Sequence, residues 1–335
     1  METLKEKNIR PSAKITDQFI IASVLSFVIM TVAVIIFPAS ALTNSFFEAI
    51  LGGDHDAAVF LGDYFGFIAL WIAFFLVVII FKGNRPMLRA VKYYSPRVRA
   101  AADSVSGRRG NRAGNNVRGF LIGLALGFGC NGFCILMSVL LGDIHLEYSG
   151  FKLVPFVVFF ICVFIQSAAE ELTDRWYLYQ KLRRRYKAPW IAIVVNSLVF
   201  TAMHLFNPGI SFLALVQIFI VGMVFSLFVY YYNGLWMAMA FHAAWNFTQS
   251  IFFGLPNSGI VSAYSVFRLD AASATNGIFY NVNFGVEGSI GAVVILAGVC
   301  LFLALKNRGK GEHTDIWEQK GEVSDGEEDT VTQVM

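Results

Sequence analysis

The sequence predicts an all-α membrane protein, a polytopic transmembrane helical bundle of about eight membrane helices with both termini in the cytoplasm. The composition is the first observation behind this prediction: 56% of the 335 residues are hydrophobic, 15% are charged, and the mean hydropathy is +0.61. Because a soluble globular domain usually has about 25% charged residues, this composition argues against an ordinary soluble protein. The other two observations are the long apolar runs and the positions of the basic residues.

Eight apolar runs in the chain approach the roughly 20 residues that a helix needs to span a bilayer. Turn signals separate some of them: Pro208-Gly209 follows the fifth run, and Asn233-Gly234 lies between the sixth and seventh. Pro189, just before the fifth run, suits the first turn of a helix. The predicted spans are Phe19–Phe37, Tyr64–Phe81, Gly119–Leu141, Leu153–Ala169, Trp190–Leu205, Ile210–Tyr232, Leu235–Phe253 and Gly288–Leu305.

The basic residues orient these spans. Eight crossings put the N-tail, the 82–118 loop, the segment after the fourth helix, the 233–234 turn and the C-tail on one side, and these regions hold 24 of the 26 Lys and Arg residues. Only Lys152 and Arg268 fall on the other side. Cytoplasmic loops carry the excess of positive charge, so we expect the basic side to be cytoplasmic. We also expect the protein to be integral to a bacterial plasma membrane. Its first helix is expected to remain uncleaved, although Ala39-Ser40-Ala41 imitates a signal-peptide cleavage site.

Ionisable residues interrupt this apolar pattern in three places. The 80 residues from Ala188 to Phe267 contain no Asp, Glu, Lys or Arg, yet they include His204 and His242. The fourth predicted helix ends in a charged group just upstream. Ionisable groups within a bilayer are costly and usually face the bundle interior, where they serve function. The charged residues of the fourth helix are Glu170, Glu171, Asp174 and Arg175.

Helical spacing groups these residues into pairs, because residues four apart share a face. Glu171 and Arg175 have this spacing and could form an ion pair, while Glu170 has it with Asp174. Two carboxylates on one apolar face favour retention of a proton, which makes Glu170 a candidate general acid or base. His242 and Asn246, also four apart, could present an imidazole and an amide to one ligand.

The polar residues of the three helices are expected to lie at similar depths in the membrane. At about 1.5 Å per helical residue, His204 lies about 21 Å, Asn246 about 18 Å and Glu170 about 22 Å from the cytoplasmic ends of their helices. A purely structural role as interhelical hydrogen-bonding groups is the alternative, and it is the reading preferred for Gln166, Asn131 and Asn196.

Two kinds of chemistry fit the polar group. In the first, Glu170 takes a proton from a water that His204 positions, and His242 with Asn246 donates hydrogen bonds to the oxyanion of a tetrahedral intermediate. In the second, Glu170, His204 and His242 bind a divalent metal such as zinc, which needs three protein ligands and an open water position. The spacing does not decide between them.

The same residues resemble a known family signature. Glu170-Glu171-Leu172-Thr173-Asp174-Arg175 matches EExxxR, Phe200-Thr201-Ala202-Met203-His204 matches FxxxH, and His242-Ala243-Ala244-Trp245-Asn246 matches HxxxN. In this order, on successive membrane helices, the motifs resemble those of the CPBP family of intramembrane proteases, which takes in the CAAX prenyl endopeptidases and the bacterial Abi proteins. The resemblance spans roughly Leu153–Phe253.

The resemblance implies an intramembrane glutamic or metalloprotease that cleaves a membrane-associated peptide or protein, with bacteriocin maturation or self-immunity among its roles. By motif position it assigns water activation to Glu170 and support to Glu171 with Arg175. His204 would bind the water or a metal, and His242 with Asn246 would form the oxyanion site. The alternatives are a non-catalytic regulator or scaffold of the same fold, and a proton-coupled transporter, although the repeats common in transporters are absent from the sequence.

The chain is therefore expected to divide into five parts. A cytoplasmic N-tail (1–18) precedes the N-terminal membrane helices (19–150), which include the basic loop at 82–118. A catalytic helical core (151–255) follows, then an outer loop with the last membrane helix (256–306) and an acidic, disordered cytoplasmic tail (307–335). Contact with anionic lipid suits the basic loop, and no nucleic-acid partner is expected.

Overall fold

The computed structural model describes residues 8–94, 114–309 and 316–317 and is built mainly from α-helices. The first seven residues, the central part of the predicted basic loop and nearly all of the predicted acidic tail lie outside the described residues. The helices are α1 (Phe19–Ile36), α2 (Ala39–Leu51), α3 (His55–Gly66), α4 (Ile68–Ile80), α5 (Val117–Leu140), α6 (Leu153–Glu171), α7 (Tyr179–Arg185), α8 (Pro189–Met203), α9 (Phe212–Tyr232), α10 (Leu235–Phe247) and α11 (Ile290–Asn307).

Six helical segments are long and apolar enough to cross a membrane. The eight predicted spans exceed this number by two, and both differences have a physical reason. Helix α8 has only 15 residues and α10 only 13, whereas a spanning helix needs about 20. The count of eight therefore stays a prediction, whereas a helical integral membrane protein is confirmed. The six segments are Phe19–Ile36, His55–Ile80, Val117–Leu140, Leu153–Arg185, Phe212–Tyr232 and Ile290–Asn307.

Small residues bring α5 and α10 into close contact. Gly123 and Gly127 lie one turn apart on α5, and a Cβ atom at either would overlap a backbone carbonyl oxygen of α10. Small residues at such spacing let two membrane helices approach closely. Because α10 contains His242 and Asn246, the glycine face of α5 determines where these two side chains lie.

The fourth predicted span continues well beyond Ala169. Helix α6 passes without a break into a π-helical segment, Leu172–Leu178, and then into α7, so that the helix runs continuously from Leu153 to Arg185. The π-helical turns begin directly after Glu171. Such widened turns occur frequently at functional sites, and here they hold Asp174 and Arg175.

The regions predicted to be cytoplasmic meet at one end of the molecule. Asp17, in the 3₁₀ turn Ile15–Asp17, is buried and accepts hydrogen bonds from Arg184 and Lys181 at the end of the fourth span. Arg184 also donates to the Gly83 carbonyl, in the 3₁₀ segment Lys82–Ala90. The backbone carbonyl of Tyr232 accepts a hydrogen bond from Gly114, at the far side of the basic loop.

The C-terminal side of the chain joins the same end. Asn307, the last residue of α11, donates to the Tyr232 hydroxyl at 2.9 Å. Further on, the Trp317 indole donates to the Gln180 carbonyl at 2.9 Å, and the Arg184 guanidinium lies 4.9 Å from the Trp317 ring. Five segments that the charge pattern assigned to one side are therefore in contact at one end.

The opposite end is covered by irregular structure, in the region expected to be an outer loop, and by two short strands that the sequence did not predict. Strand β1 (Leu146–Tyr148) pairs antiparallel with β2 (Phe267–Leu269). A Cβ atom at Gly259 would overlap the Pro208 carbonyl oxygen, so the turn after α10 packs directly against the turn after α8. The outer segment, defined here as residues 254–289, thus lies over the ends of α8 and α10. Helix α2 is a second unpredicted element.

Candidate active site

An ion pair between Glu171 and Arg175 forms the buried base of the site, as the four-residue spacing predicted. Both side chains are fully buried, and Arg175 Nη1 donates to Glu171 Oε1 at 3.1 Å. Arg175 Nη2 donates to the Gly222 carbonyl of α9 at 3.2 Å. The guanidinium lies 4.4 Å from the Phe200 ring centroid and 5.1 Å from that of Phe225. Because a charge in an apolar interior requires a partner, each charge of this pair holds the other in place.

His242 connects this ion pair to Glu170. Its Nδ1 lies 3.0 Å from Glu171 Oε1, and its Nε2 lies 3.7 Å from Glu170 Oε2. The ring stacks on Phe225 with centroids 5.0 Å apart and is 7% exposed. The imidazole is therefore held between two carboxylates that are adjacent in sequence, with one ring nitrogen directed at each.

Glu170 faces away from the ion pair and is less buried than Glu171. Gln166 Nε2, one turn earlier on α6, donates to Glu170 Oε1 at 2.5 Å. Gln166 was assigned to packing in the sequence analysis, and its contact with a predicted catalytic carboxylate gives it a second role. Asp174, predicted to share a face with Glu170, is fully buried and lies 4.0 Å from Arg175 Nη1.

Asn246 lies one turn beyond His242 on α10. Its Nδ2 donates to Ser167 Oγ at 3.1 Å, and its Oδ1 accepts from Asn257 Nδ2 at 3.1 Å. Both His242 and Asn246 line one small cavity. The two side chains therefore face one space, and their binding of one ligand stays a prediction.

His204 reaches the same cavity from the end of α8. Helix α8 ends at Met203, and His204 Nδ1 lies 2.8 Å from the Phe200 carbonyl oxygen, which can only accept. Nδ1 is therefore the protonated nitrogen, and Nε2 is the atom left for other partners. His204 is part of the cavity wall together with His242, Asn246 and apolar residues of α8 and α9.

The outer segment contributes a carboxylate that sequence reasoning missed. Glu287, in the 3₁₀ turn Val286–Gly288 before α11, lines the cavity and is 5% exposed. Burial raises the pKa of Glu287 to about 7; hydrogen bonds from Ser258 and Trp245 and the charge of His242 oppose this rise, and Glu170 adds to it. No motif marks Glu287 in the sequence, because it follows an irregular segment and precedes a helix of ordinary composition.

Metal binding was the alternative chemistry for Glu170, His204 and His242. Within residues 8–94, 114–309 and 316–317, no group of three or more His, Cys, Asp or Glu side chains is arranged to hold a metal ion. The His242 nitrogens are directed at Glu171 and Glu170 instead. These three residues as arranged do not form a metal site, so we derive no catalytic step through a metal, and the cofactor stays a prediction.

The fold and the site together define an integral membrane protein with a polar cluster enclosed between its helices. Residues 151–248 match the family model for the type II CAAX prenyl endopeptidase Rce1-like family. This stretch contains all three motifs, so the resemblance to the CAAX endopeptidase family is confirmed over residues 151–248. No curated protein and no solved structure matches the chain.

Proposed function

We propose that this protein is an intramembrane endopeptidase that hydrolyses a peptide bond of a membrane-associated protein or peptide. The main supporting observation is the position of His242 between Glu170 and Glu171, at 3.7 Å and 3.0 Å, beside a cavity that it shares with His204 and Asn246. Two imidazoles and an amide line this cavity, and the Glu170 carboxylate lies 3.7 Å from one of the imidazoles. These are the groups that water-mediated amide hydrolysis uses.

In the proposed reaction, Glu170 is the general base. It takes a proton from water while the water oxygen bonds to the carbonyl carbon of the substrate and the carbonyl π electrons move to oxygen. The tetrahedral intermediate then collapses, the C–N bond breaks, and the proton held by Glu170 passes to the departing nitrogen. Proton transfer by a positioned side chain contributes roughly 10²–10⁴-fold to a rate. Gln166, which donates to Glu170 Oε1, orients the carboxylate.

His242 and Asn246 stabilise the oxyanion in this scheme. One hydrogen of Asn246 Nδ2 is used by Ser167 Oγ, and the second is available to the cavity. His242 donates Nδ1–H to Glu171, so that donation from Nε2 as well requires the doubly protonated ring. The ion pair with Arg175 keeps Glu171 as the acceptor for that ring. His204, with Nδ1–H bonded to Phe200, offers Nε2 to the attacking water.

The proposed topology has eight crossings, with α8 and α10 as the two additional spans and both termini in the cytoplasm of a bacterial cell. The contacts among the N-terminal turn, the ends of the basic loop, the end of the fourth span, the 233–234 turn and the end of α11 support it. Single cysteines introduced at Arg89 and Arg268 in a chain without its four native cysteines test it. Labelling of intact cells by an impermeant reagent is expected at position 268 alone, and equal labelling would overturn the topology.

Cleavage by the purified protein tests the proposed activity directly. The wild type and Glu170→Gln, reconstituted in lipid vesicles, are incubated with a library of membrane peptides, and the products are identified by mass spectrometry. We expect wild-type products that fall at least 100-fold in the variant, because Gln cannot accept the proton. Glu147→Gln, which removes an exposed carboxylate from β1, is the matched control. Equal products from the wild type and Glu170→Gln would contradict the proposal and favour a scaffold of the same fold.

A further inference from the structure

Glu287 is bound by three donors from two neighbouring segments. Trp245 Nε1 donates to Oε1 at 3.2 Å, and Asn257 Nδ2 donates to the same oxygen at 3.1 Å. The backbone N–H of Ser258 donates to Oε2 at 2.6 Å. Glu287 and Asn257 both lie beyond residue 248, where the family match ends. The outer segment therefore adds a hydrogen-bonded carboxylate to a site whose motifs lie elsewhere.

The Asn257 amide has its orientation set by Glu287. At pH values above about 7, where Glu287 is ionised, its oxygens can only accept hydrogen bonds. Asn257 must then direct its NH₂ group, rather than its carbonyl, at Oε1. The same Nδ2 atom donates to Asn246 Oδ1 at 3.1 Å. An amide nitrogen has two hydrogens, and Asn257 uses one for Glu287 and the other for Asn246.

The Asn246 amide inherits its orientation from this contact. Its carbonyl oxygen is occupied by Asn257, so its NH₂ group points the other way, toward Ser167 and the cavity. The reversed amide would place a carbonyl oxygen where the oxyanion forms, and two partial negative charges would then face each other. Glu287, Asn257 and Asn246 thus form a chain of hydrogen bonds in which the acceptor Glu287 at one end makes Asn246 present an N–H donor at the other.

We propose that Glu287 and Asn257 are positioning residues of the active site, which fix the Asn246 amide with its N–H donor toward the substrate oxyanion. This inference rests on the proposed endopeptidase function. Loss of one oxyanion donor typically lowers kcat by about 10²–10³-fold. The effect of Glu287 and Asn257 is expected to approach that of Asn246 itself, although neither side chain donates to the oxyanion.

The experiment is a double-mutant cycle on kcat and KM for one peptide that the wild type cleaves. Asn257→Asp replaces the NH₂ group with an acceptor and favours the reversed Asn246 amide, so kcat is expected to fall at least 30-fold with KM little changed. Asn246→Ala is expected to show a loss at least as large. In the Asn246→Ala background, Asn257→Asp should cause no further loss, because it acts through the side chain already removed.

A second isosteric variant guards against misfolding of Asn257→Asp. Glu287→Gln puts an NH₂ group, itself a donor, next to the three donors that bind Glu287, so the orientation of the Asn257 amide is no longer fixed. The variant should therefore lower kcat in the wild-type background and leave kcat unchanged in the Asn246→Ala background. Melting temperatures identify any variant that fails to fold. Glu147→Gln, which alters an exposed carboxylate on the same outer side, is the control and is expected to keep the wild-type kcat.

The outcomes separate this inference from the function on which it rests. Losses that multiply in the double variants would assign Glu287 and Asn257 a structural role independent of Asn246 and would overturn the inference alone. Wild-type kcat in Asn257→Asp and Glu287→Gln, with a large loss in Asn246→Ala, would do the same. Full activity in Asn246→Ala, or no cleavage by the wild type, would remove the oxyanion site itself and this inference with it.

Discussion

Two regions of the molecule make up the candidate site, and they differ in how their polar residues are held. In the helical core of α6, α8 and α10, the polar side chains stand at helical spacing and pair with one another, as Glu171 does with Arg175 and His242. In the outer segment, Glu287 is held by a backbone N–H and one side chain from a turn, and by an indole N–H of α10. The helical core therefore depends on charge pairing in an apolar interior, whereas the outer segment depends on the conformation of its turns.

The largest expected effect tests the charge pairing of the helical core. Arg175→Met keeps an unbranched side chain but leaves the fully buried Glu171 without its cation. Removing one partner of a buried ion pair typically costs about 3–5 kcal/mol, so the free energy of unfolding in mixed detergent micelles should fall by that amount.

Arg268 gives the matched control from the outer region. It lies on β2 and is exposed, so Arg268→Met is expected to change the free energy of unfolding by less than about 0.5 kcal/mol, as surface substitutions usually do. A loss below 1 kcal/mol for Arg175→Met, or equal losses for the two variants, would contradict the contrast between the regions.

A smaller effect is expected where α5 supports α10. A methyl group at Gly127 would overlap the Phe241 carbonyl oxygen and approach the Ala244 Cβ to 2.7 Å, so Gly127→Ala must push the two helices apart. Overpacking of this kind costs roughly 1–3 kcal/mol. The displacement also moves His242, which neighbours Phe241, so cleavage activity should fall together with stability.

The same helix supplies the control for this substitution. A Cβ atom at Gly129 would meet nothing within 4 Å, so Gly129→Ala is expected to leave activity unchanged and to alter stability by less than about 1 kcal/mol, the usual difference in helix propensity. If Gly129→Ala were as harmful as Gly127→Ala, close contact between α5 and α10 would not be what positions the site.

The sequence was informative about the two regions to very different degrees. Charged residues stand out in a chain segment that is otherwise apolar, and the four-residue spacing of Glu171 with Arg175 and of His242 with Asn246 could be read directly. Glu287 lies in a segment where polar residues are common, and its role depends on turns that bring residues 30 positions apart into contact. Such contacts leave no periodic signal in the sequence.

The helices themselves show the same limit. Predicted and observed helices agree where the apolar runs are long, but the π-helical turns after Glu171 and the unpredicted α2 depend on packing rather than on composition. Helix α10 has only 13 residues, although it contains His242 and Asn246. Helix length therefore argues against a span for the very helix that the motifs identify most clearly.

A further expected effect is the pH dependence of stability that Glu287 introduces. Its pKa is about 7 in the folded protein, against an ordinary value of 4.5, so between these pH values the folded state binds a proton that the unfolded state has released. The free energy of unfolding therefore decreases as the pH rises from 4.5 to 7. Gln does not titrate, so the free energy of unfolding of Glu287→Gln does not have this decrease. The stability of the variant relative to the wild type should therefore rise between pH 4.5 and 7.

Melting temperatures of the wild type and Glu287→Gln are measured at pH 5 and pH 7.5. Subtracting the wild-type value from the variant value at each pH cancels the titration of the other carboxylates. His242 lowers the pKa of Glu287 and Glu170 raises it. Both groups remain in Glu287→Gln, so a pH dependence of stability that disappears in this variant belongs to Glu287 itself. Glu147→Gln controls for loss of an exposed carboxylate. A relative stability of Glu287→Gln that stays constant or declines with rising pH would mean that burial in the outer segment does not hold the proton on Glu287.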